Sequence, residues 1–243
     1  MTGERVAVFR PDDERLADAV SLLESLDVAP VADAMLAVEP TGAVPRTDAD
    51  YLVLTSKTGA ELLPDGWEPG GATVCAIGEP TARALEAAGV PVDLVPERYS
   101  SSGLVAALAE DAEGVRVEVA RSDHGSAVLL DGLDGAGAYH HETVLYRLVR
   151  PPGSGESTDL AAEGHLDAAL FTSSLTVEHF LEAAEARGVR DAALAGLAGA
   201  VVGAIGEPTR ETAEAHGISV DVVPGEATFE ALARAVVGRL RDD

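Results

Sequence analysis

Short apolar runs at 6–9, 52–54, 74–77, 117–120, 168–171 and 201–205 punctuate the chain, most of them containing β-branched residues. Runs of this length suit strands buried in a parallel sheet. After the runs at 74–77 and 201–205 come Gly78 and Gly206, each followed by Glu-Pro-Thr. Glycine permits a tight turn there, Pro80 and Pro208 suit a first helical position, and alanine-rich sequence predicts a helix. Gly89 and Gly217 fall where a helix C-terminus favours positive φ. Each helix then leads into a further apolar segment, 90–96 or 218–224, which predicts another short strand. The alternation of strand and helix predicts an α/β fold with parallel sheets.

The pattern repeats. Residues 76–96 read AIGEPTARALEAAGVPVDLVP and residues 204–224 read AIGEPTRETAEAHGISVDVVP, with 13 of 21 positions identical. LVLTSKTGAELL from Leu52 matches ALFTSSLTVEHFL from Ala169, so Thr55-Ser56 falls on Thr172-Ser173. More weakly, VAVFRPDD from Val6 matches VEVARSDH from Val117. Each half therefore carries the same three strand-to-loop junctions. Two extended segments, near 25–40 and 139–152, bracket the middle of the chain. Side by side, they make 40–145 an α/β domain inserted into a discontinuous one formed by 1–37 and 150–243, with linker strands near 30–40 and 142–151. Such a bridge would allow hinge motion around a cleft.

Charge narrows the function. Seventeen basic residues face 42 acidic ones, a formal charge of −25, and Lys57 is the only lysine. So acidic a surface repels phosphate backbones and anionic lipid, which argues against nucleic-acid and membrane partners. The opening MTGERVAVFRPDDE lacks the apolar stretch of a signal peptide, and no apolar run is long enough to span a bilayer. The expected location is the cytoplasm. Cys75, the lone cysteine, lies in a strand-like run and reads as a small buried apolar residue, not a nucleophile. The acids are spread along the chain (Asp12, Asp13, Glu14; Asp48, Asp50; Glu156, Asp159, Glu163; Asp242, Asp243), which with the near-absence of lysine favours a protein adapted to high salt over one with a cationic partner. No nucleotide-binding glycine motif and no HExxH are present, and His140-His141 have no ligand spacing.

In order along the chain, VAVFRP, TSKTGAELL, AIGEPT, YRLVRPP, FTSSLTVEHFLE and the second AIGEPT with its following GISVDVVP resemble the uroporphyrinogen-III synthase family. The resemblance implies two flavodoxin-like parallel-sheet domains joined by a two-stranded β-linker, with the active site in the cleft between them. It implies closure of the linear tetrapyrrole hydroxymethylbilane to uroporphyrinogen III, with loss of water and inversion of ring D, and no metal or cofactor. The substrate, which the preceding deaminase could hand over, is the expected partner of a monomer. Because loss of the hydroxyl gives a stabilised azafulvene cation, positioning and an acid for the leaving hydroxyl are the functions to look for.

Tyr146 matches the family's cleft-facing linker tyrosine, and a phenol, protonated at working pH, suits a general acid. Thr209 matches a family threonine at a helix N-terminus, where free N–H groups favour a substrate carboxylate; Thr81 is its weaker repeat-related counterpart. The substrate's eight carboxylates make anion cradles of the hydroxyl-rich turns Thr55, Ser56, Lys57, Thr58 and Thr172, Ser173, Ser174. Where the family often has proline between two serines, this chain reads Thr-Ser-Ser, which leaves open whether Thr172 or Ser174 points inward. Lys57 is read as a carboxylate partner. Arg10 and Arg121 end repeat-related strands, Arg10 being the better carboxylate partner, and Ser101 and Ser102 are read as capping a further helix. The rival function is a cytoplasmic tetrapyrrole or anion sensor that binds without chemistry.

Overall fold

All six apolar runs are strands in the computed structural model, which describes residues 3–242. Met1 and Thr2 of the opening segment and Asp243 of the terminal acidic pair lie outside the described residues. The strands are β1 (Arg5–Phe9), β2 (Ala29–Ala32), β3 (Ala37–Pro40), β4 (Tyr51–Leu54), β5 (Thr73–Ala76), β6 (Arg116–Ser122), β7 (Tyr139–Val149), β8 (Ala168–Phe171) and β9 (Val201–Ala204). The helices are α1 (Glu14–Ser25), α2 (Lys57–Glu61), α3 (Glu79–Ala87), α4 (Ser101–Leu108), α5 (Ala127–Gly135), α6 (Glu156–Ala162), α7 (Ser174–Ala186), α8 (Arg190–Leu197), α9 (Glu207–Ala215) and α10 (Phe229–Asp242).

The strands form two sheets, in the orders β2-β1-β8-β9 and β3-β7-β6-β4-β5. The first is parallel throughout, and so are β7, β6, β4 and β5 of the second. Contacts divide the chain into two compact units, 1–37 with 149–243, and 38–148. The sequence repeats pair β1 with β6, β8 with β4 and β9 with β5. Under that pairing β2-β1-β8-β9 and β7-β6-β4-β5 have the same spatial order. The second sheet has β3 in addition, at its β7 edge, and among the matched strands one unit starts at β1 and the other at β4, the counterpart of β8.

Each sheet is buried on both faces, so its strands read as continuous apolar runs. In β1, Ala7 and Phe9 face one cluster and Val6 and Val8 another, following the two-residue period of a strand. Phe9 stacks on Phe171 at 4.7 Å between centroids, and Phe180 meets both edge-on. In the second unit Leu52 and Leu54 pack with Leu85 and Tyr146, while Val53 and Cys75 pack with Leu104, Leu129 and Leu133. Gly89 and Gly217 have φ of 83° and 84°, as their helix ends require.

Four expectations change in detail. Helices α3 and α9 begin at Glu79 and Glu207, so Pro80 and Pro208 are second in the helix. Gly78 and Gly206 are extended, at φ −175° and −169°, a conformation open to any residue. Segments 90–96 and 218–224 make single parallel bridges, Cys75↔Leu94 and Gly203↔Val222, and not full strands. There the carboxylates of Asp93 and Asp221 accept the Val74 and Val202 amides at 2.8 Å each, replacing ladder carbonyls, and Pro91 and Pro96 remove donors from the first segment. Finally, the extended segment near 25–40 is not one strand: α1 runs to Ser25, β2 joins the first sheet and β3 the second. β3 and β7 do lie side by side, with β7 paired to β6 along its other edge. Among the described residues no helix is long and apolar enough to cross a membrane.

Asp33, just beyond β2, holds the return of the chain after β7. Its buried carboxylate accepts the amides of Gly155 and Ser157 and the Ser157 hydroxyl, and so caps α6, whose own N-cap, Gly155, has no side chain to do so. Replacing Asp33 by alanine leaves these buried donors unpaired and is expected to lower stability by about 2–4 kcal/mol, with Asp33→Asn losing roughly half as much. Urea unfolding of the three proteins checks this; equal midpoints would show that the cap contributes nothing.

Candidate active site

In an open parallel sheet, ligands gather where successive connections leave in opposite directions, outside the carboxyl ends of the strands. In the first unit β1 connects through α1 to β2 on one side, and β8 connects through α7 and α8 to β9 on the other. Its switch point therefore lies beyond Phe9 and Phe171, at Arg10 and Thr172. In the second unit the corresponding point lies between β6 and β4, at Asp123 and Thr55.

At the second unit's switch point two expected residues meet. Ser56 is the N-cap of α2, its Oγ accepting the Gly59 amide at 2.9 Å. The Tyr146 hydroxyl, reaching over from β7, donates to the same oxygen at 3.0 Å. Tyr146 is buried, opposite Ser122, at a register shift between β6 and β7. With both bonds accepted, the Ser56 hydroxyl proton has no acceptor among the described residues and is free to be donated. Thr55 is anchored through its amide to Ala120 O at 3.4 Å. Lys57 and Thr58 lie in the first turn of α2. The Lys57 side chain is 62% exposed and its ammonium lies 3.2 Å from Glu61, so an existing carboxylate occupies it.

The loop after β6 adds two residues with only a faint sequence signal, the SDH aligned to PDD. Asp123 Oδ1 accepts the Leu148 amide at 3.1 Å and lies 2.9 Å from His124 Nδ1, while the Asp123 amide donates to Tyr146 O at 3.2 Å. Burial pushes the Asp123 carboxyl up, but its bonds to His124 and the Leu148 amide outweigh this and hold it below its usual range. The pair thus clamps the backbone that carries Tyr146.

Arg121, by contrast, is no candidate for a ligand. It is buried, with Nε 2.6 Å from Glu142 and Nη1 donating to Ser126 O at 2.7 Å. Ser101 and Ser102 are corrected as well: the cap of α4 is Ser100, which accepts the Gly103 amide at 3.1 Å. Ser101 and Ser102 occupy the first turn, and Ser102 Oγ is 3.1 Å from that of Ser100. Cys75 is fully buried, and burial pushes its thiol up to about 12, which leaves it no nucleophilic role.

In the first unit Arg10 stands at the end of β1 with its guanidinium 4.9 Å from the Phe229 ring centroid. Burial, with Arg15 adding to it and Asp13 and Asp18 opposing, lowers its pKa, but a guanidinium starts so high that it stays charged. Its Nε is buried without a hydrogen-bond partner. Ser173 repeats the geometry of Ser56, capping α7 by accepting the Thr176 amide at 3.2 Å. The choice between Thr172 and Ser174 resolves to neither. Thr172 donates to Phe9 O at 2.6 Å and Ser174 to Pro208 O at 3.1 Å, so both protons are engaged. Thr209 is the third residue of α9, buried, and its hydroxyl makes no hydrogen bond among the described residues. It does not cap the helix; α9 and α3 both start on glycine with no side-chain cap. Among the described residues, no group of three or more His, Cys, Asp or Glu is arranged to hold a metal ion.

Comparison with known proteins agrees along the whole length. Residues 17–234 match the family model described as uroporphyrinogen-III synthase HemD. A protein of Methanothermobacter thermautotrophicus, provisionally named a uroporphyrinogen-III synthase, is 33% identical over 98% of this chain and 99% of its own. The uroporphyrinogen-III synthase of Synechococcus elongatus is 25% identical over 90% of this chain and 85% of its own. In fold, the chain resembles the crystal structure of a mutant uroporphyrinogen III synthase from Thermus thermophilus, with a TM-score of 0.66 at 20% identity over 99% and 100% of the two chains. The Helicobacter pylori uroporphyrinogen-III synthetase gives 0.64 at 16% identity over 98% and 99%. The chain belongs to the uroporphyrinogen-III synthase family.

Proposed function

We propose that this chain closes hydroxymethylbilane to uroporphyrinogen III, with its two units acting as flavodoxin-like domains joined by a β-linker and the substrate bound at the carboxyl ends of the parallel strands. The observation that carries the reading, beside the family, is the hydroxyl pair Tyr146–Ser56 at the second unit's switch point. The pyrrole nitrogen pushes out the hydroxyl as the carbon–oxygen bond breaks. Ser56 donates its free proton to the leaving oxygen, and Tyr146, already directed at Ser56 Oγ, replaces it. Water leaves, and the azafulvene cation is attacked by the ring-D carbon that forms the spiro intermediate. The bond from the spiro carbon to the ring-C methylene then breaks to give a second azafulvene cation, which re-closes on the terminal carbon of ring D. The proton lost as the ring-D pyrrole regains aromaticity restores the hydroxyl pair. Catalysis is chiefly positioning: without it, the cation closes at the terminal carbon to the non-inverted isomer.

The substrate's carboxylates require cations and N–H donors from an acidic protein. Arg10, with no ion pair among the described residues, supplies one; the uncapped starts of α9 and α3, at Thr209 and Thr81, supply others. Ser173, whose hydroxyl donates to no acceptor among the described residues, and the turns at Thr55–Thr58, Ser101–Ser102 and Thr172–Ser174 complete the cradle through backbone amides as much as hydroxyls. Monomeric state, a cytoplasmic location and receipt of substrate from the preceding deaminase belong to the same proposal.

Incubated with hydroxymethylbilane in molar salt, then oxidised and separated by isomer, the products are expected to be mainly isomer III. Isomer I alone, as in the enzyme-free control, would leave a binding protein and no synthase. For Tyr146→Phe we expect kcat to fall about ten-fold, less than for a full general acid because the substrate assists its own ionisation. Ser56→Ala should resemble it, the double variant should be no worse than either, and additive losses would break the relay. Dilute buffer is the second test. The Debye length is about 3 Å at 1 M salt and about 30 Å at 0.01 M, so KM for a polyanion should rise several-fold as salt is removed. A KM unchanged across that range would end the salt-adapted reading of the −25 charge.

A further inference from the structure

Five large apolar side chains are exposed among the described residues: Val38, Val44, Tyr99, Val128 and Tyr139. Tyr99, 59% exposed, is the one with a seat built for it. A Cβ placed on Gly78 would lie 3.0 Å from Tyr99 Cγ and 3.3 Å from Cδ2. Since φ at Gly78 is −175°, the backbone there accepts any residue, and what a side chain at this position would crowd is the closely approaching Tyr99 ring. The ring therefore rests on bare backbone with much of its surface in water.

That seat is at the carboxyl edge of the second unit. Gly78 is the turn between β5 and α3, and the preceding Ile77 amide donates to Leu54 O at 3.0 Å, which ties the turn beside Thr55 and Ser56. Ser100, next along the chain, caps α4. Among its described residues the first unit makes no equivalent platform. Its matching turn, at Gly206, has only Pro208 Cδ, 3.9 Å away, within 4 Å of an added Cβ, and the position matching Tyr99 is Ala227. The nearby Phe229 is covered by the Arg10 guanidinium. One edge thus offers an open aromatic face, the other an aromatic under a cation.

We propose that Tyr99 is a stacking platform for one pyrrole ring of the tetrapyrrole, fixing that ring over the Gly78 turn beside the Ser56 hydroxyl. This rests on the function proposed above. A planar, electron-rich ring packs in offset or edge-on fashion against an aromatic face. A ring already seated against backbone loses less side-chain freedom on binding than one surrounded by solvent. Its contribution is to substrate binding and to the path of closure, not to proton transfer.

The test measures KM, kcat and isomer ratio on hydroxymethylbilane for the wild type and for Tyr99→Ala, Tyr99→Leu, Tyr99→Phe and Tyr99→Trp, with thermal unfolding of each. Tyr99→Ala is expected to raise KM about two- to ten-fold, the range of a stacked aromatic pair, with kcat within about two-fold and a larger share of isomer I. Tyr99→Phe and Tyr99→Trp should keep the wild-type KM. Tyr99→Leu should remain impaired, because bulk without a π-face is no platform. An unchanged KM in Tyr99→Ala, rescue by leucine, or a Tyr99→Phe as weak as Tyr99→Ala would each overturn the platform, while isomer III from the wild type keeps the reaction standing. Isomer I alone from the wild type would overturn both.

Discussion

Parallel strands in a sheet buried on both faces return through helices, so these strands point one way and their loops collect at two edges. The rest of this protein follows from that constraint. It makes β1, β4, β5, β8 and β9 short and largely apolar, places Phe9, Phe171 and Phe180 in one packed cluster, and sends a unit's turns from parallel strands to helices to one carboxyl edge. N-cap serines, uncapped helix starts and strand-terminal arginines gather at that edge because turns are where the backbone leaves its ladder with unpaired donors. The same edge in the second unit carries Ser56, Tyr146 and Tyr99.

Duplication gives each unit this edge, and divergence has made the two different. Ser56 and Ser173 keep the same capping geometry. Yet one edge has acquired a buried phenol against the serine and an open tyrosine ring, while the other has an arginine lying over a phenylalanine. In the function proposed for this chain, proton chemistry and aromatic contact fall to one unit and fixed positive charge to the other. A polyanionic, pyrrole-built substrate needs both kinds of contact. An acidic chain can offer them only locally, since its overall field is repulsive to such a ligand.

Much of the fold was legible in the chain because it rests on local rules. The six apolar runs became strands, and Gly89 and Gly217 took the positive φ that the helix ends demanded. The segments 90–96 and 218–224 misled because apolar character predicts extension, not pairing. Whether they joined the ladder depended on Asp93 and Asp221 reaching back to amides nineteen residues away in sequence. The region 25–40 misled for a related reason: nothing local reveals that two short extended pieces will enter different sheets.

The sequence by itself determined the α/β alternation, the internal repeat, the family and the pool of polar residues at strand ends, since each depends on composition or on neighbours a few positions apart. Which of those residues remain free to act was decided only by tertiary structure. Arg10 and Arg121 are equivalent in the text, but Glu142 and Ser126 enclose one of them and an aromatic ring carries the other. Thr172 and Ser174 both had the right chemistry, and both donate to backbone carbonyls. Tyr99 showed nothing in sequence because its meaning lies in a glycine twenty-one positions before it. A hydrogen bond or a ring seat depends on distance in space, and only the folded chain sets that distance.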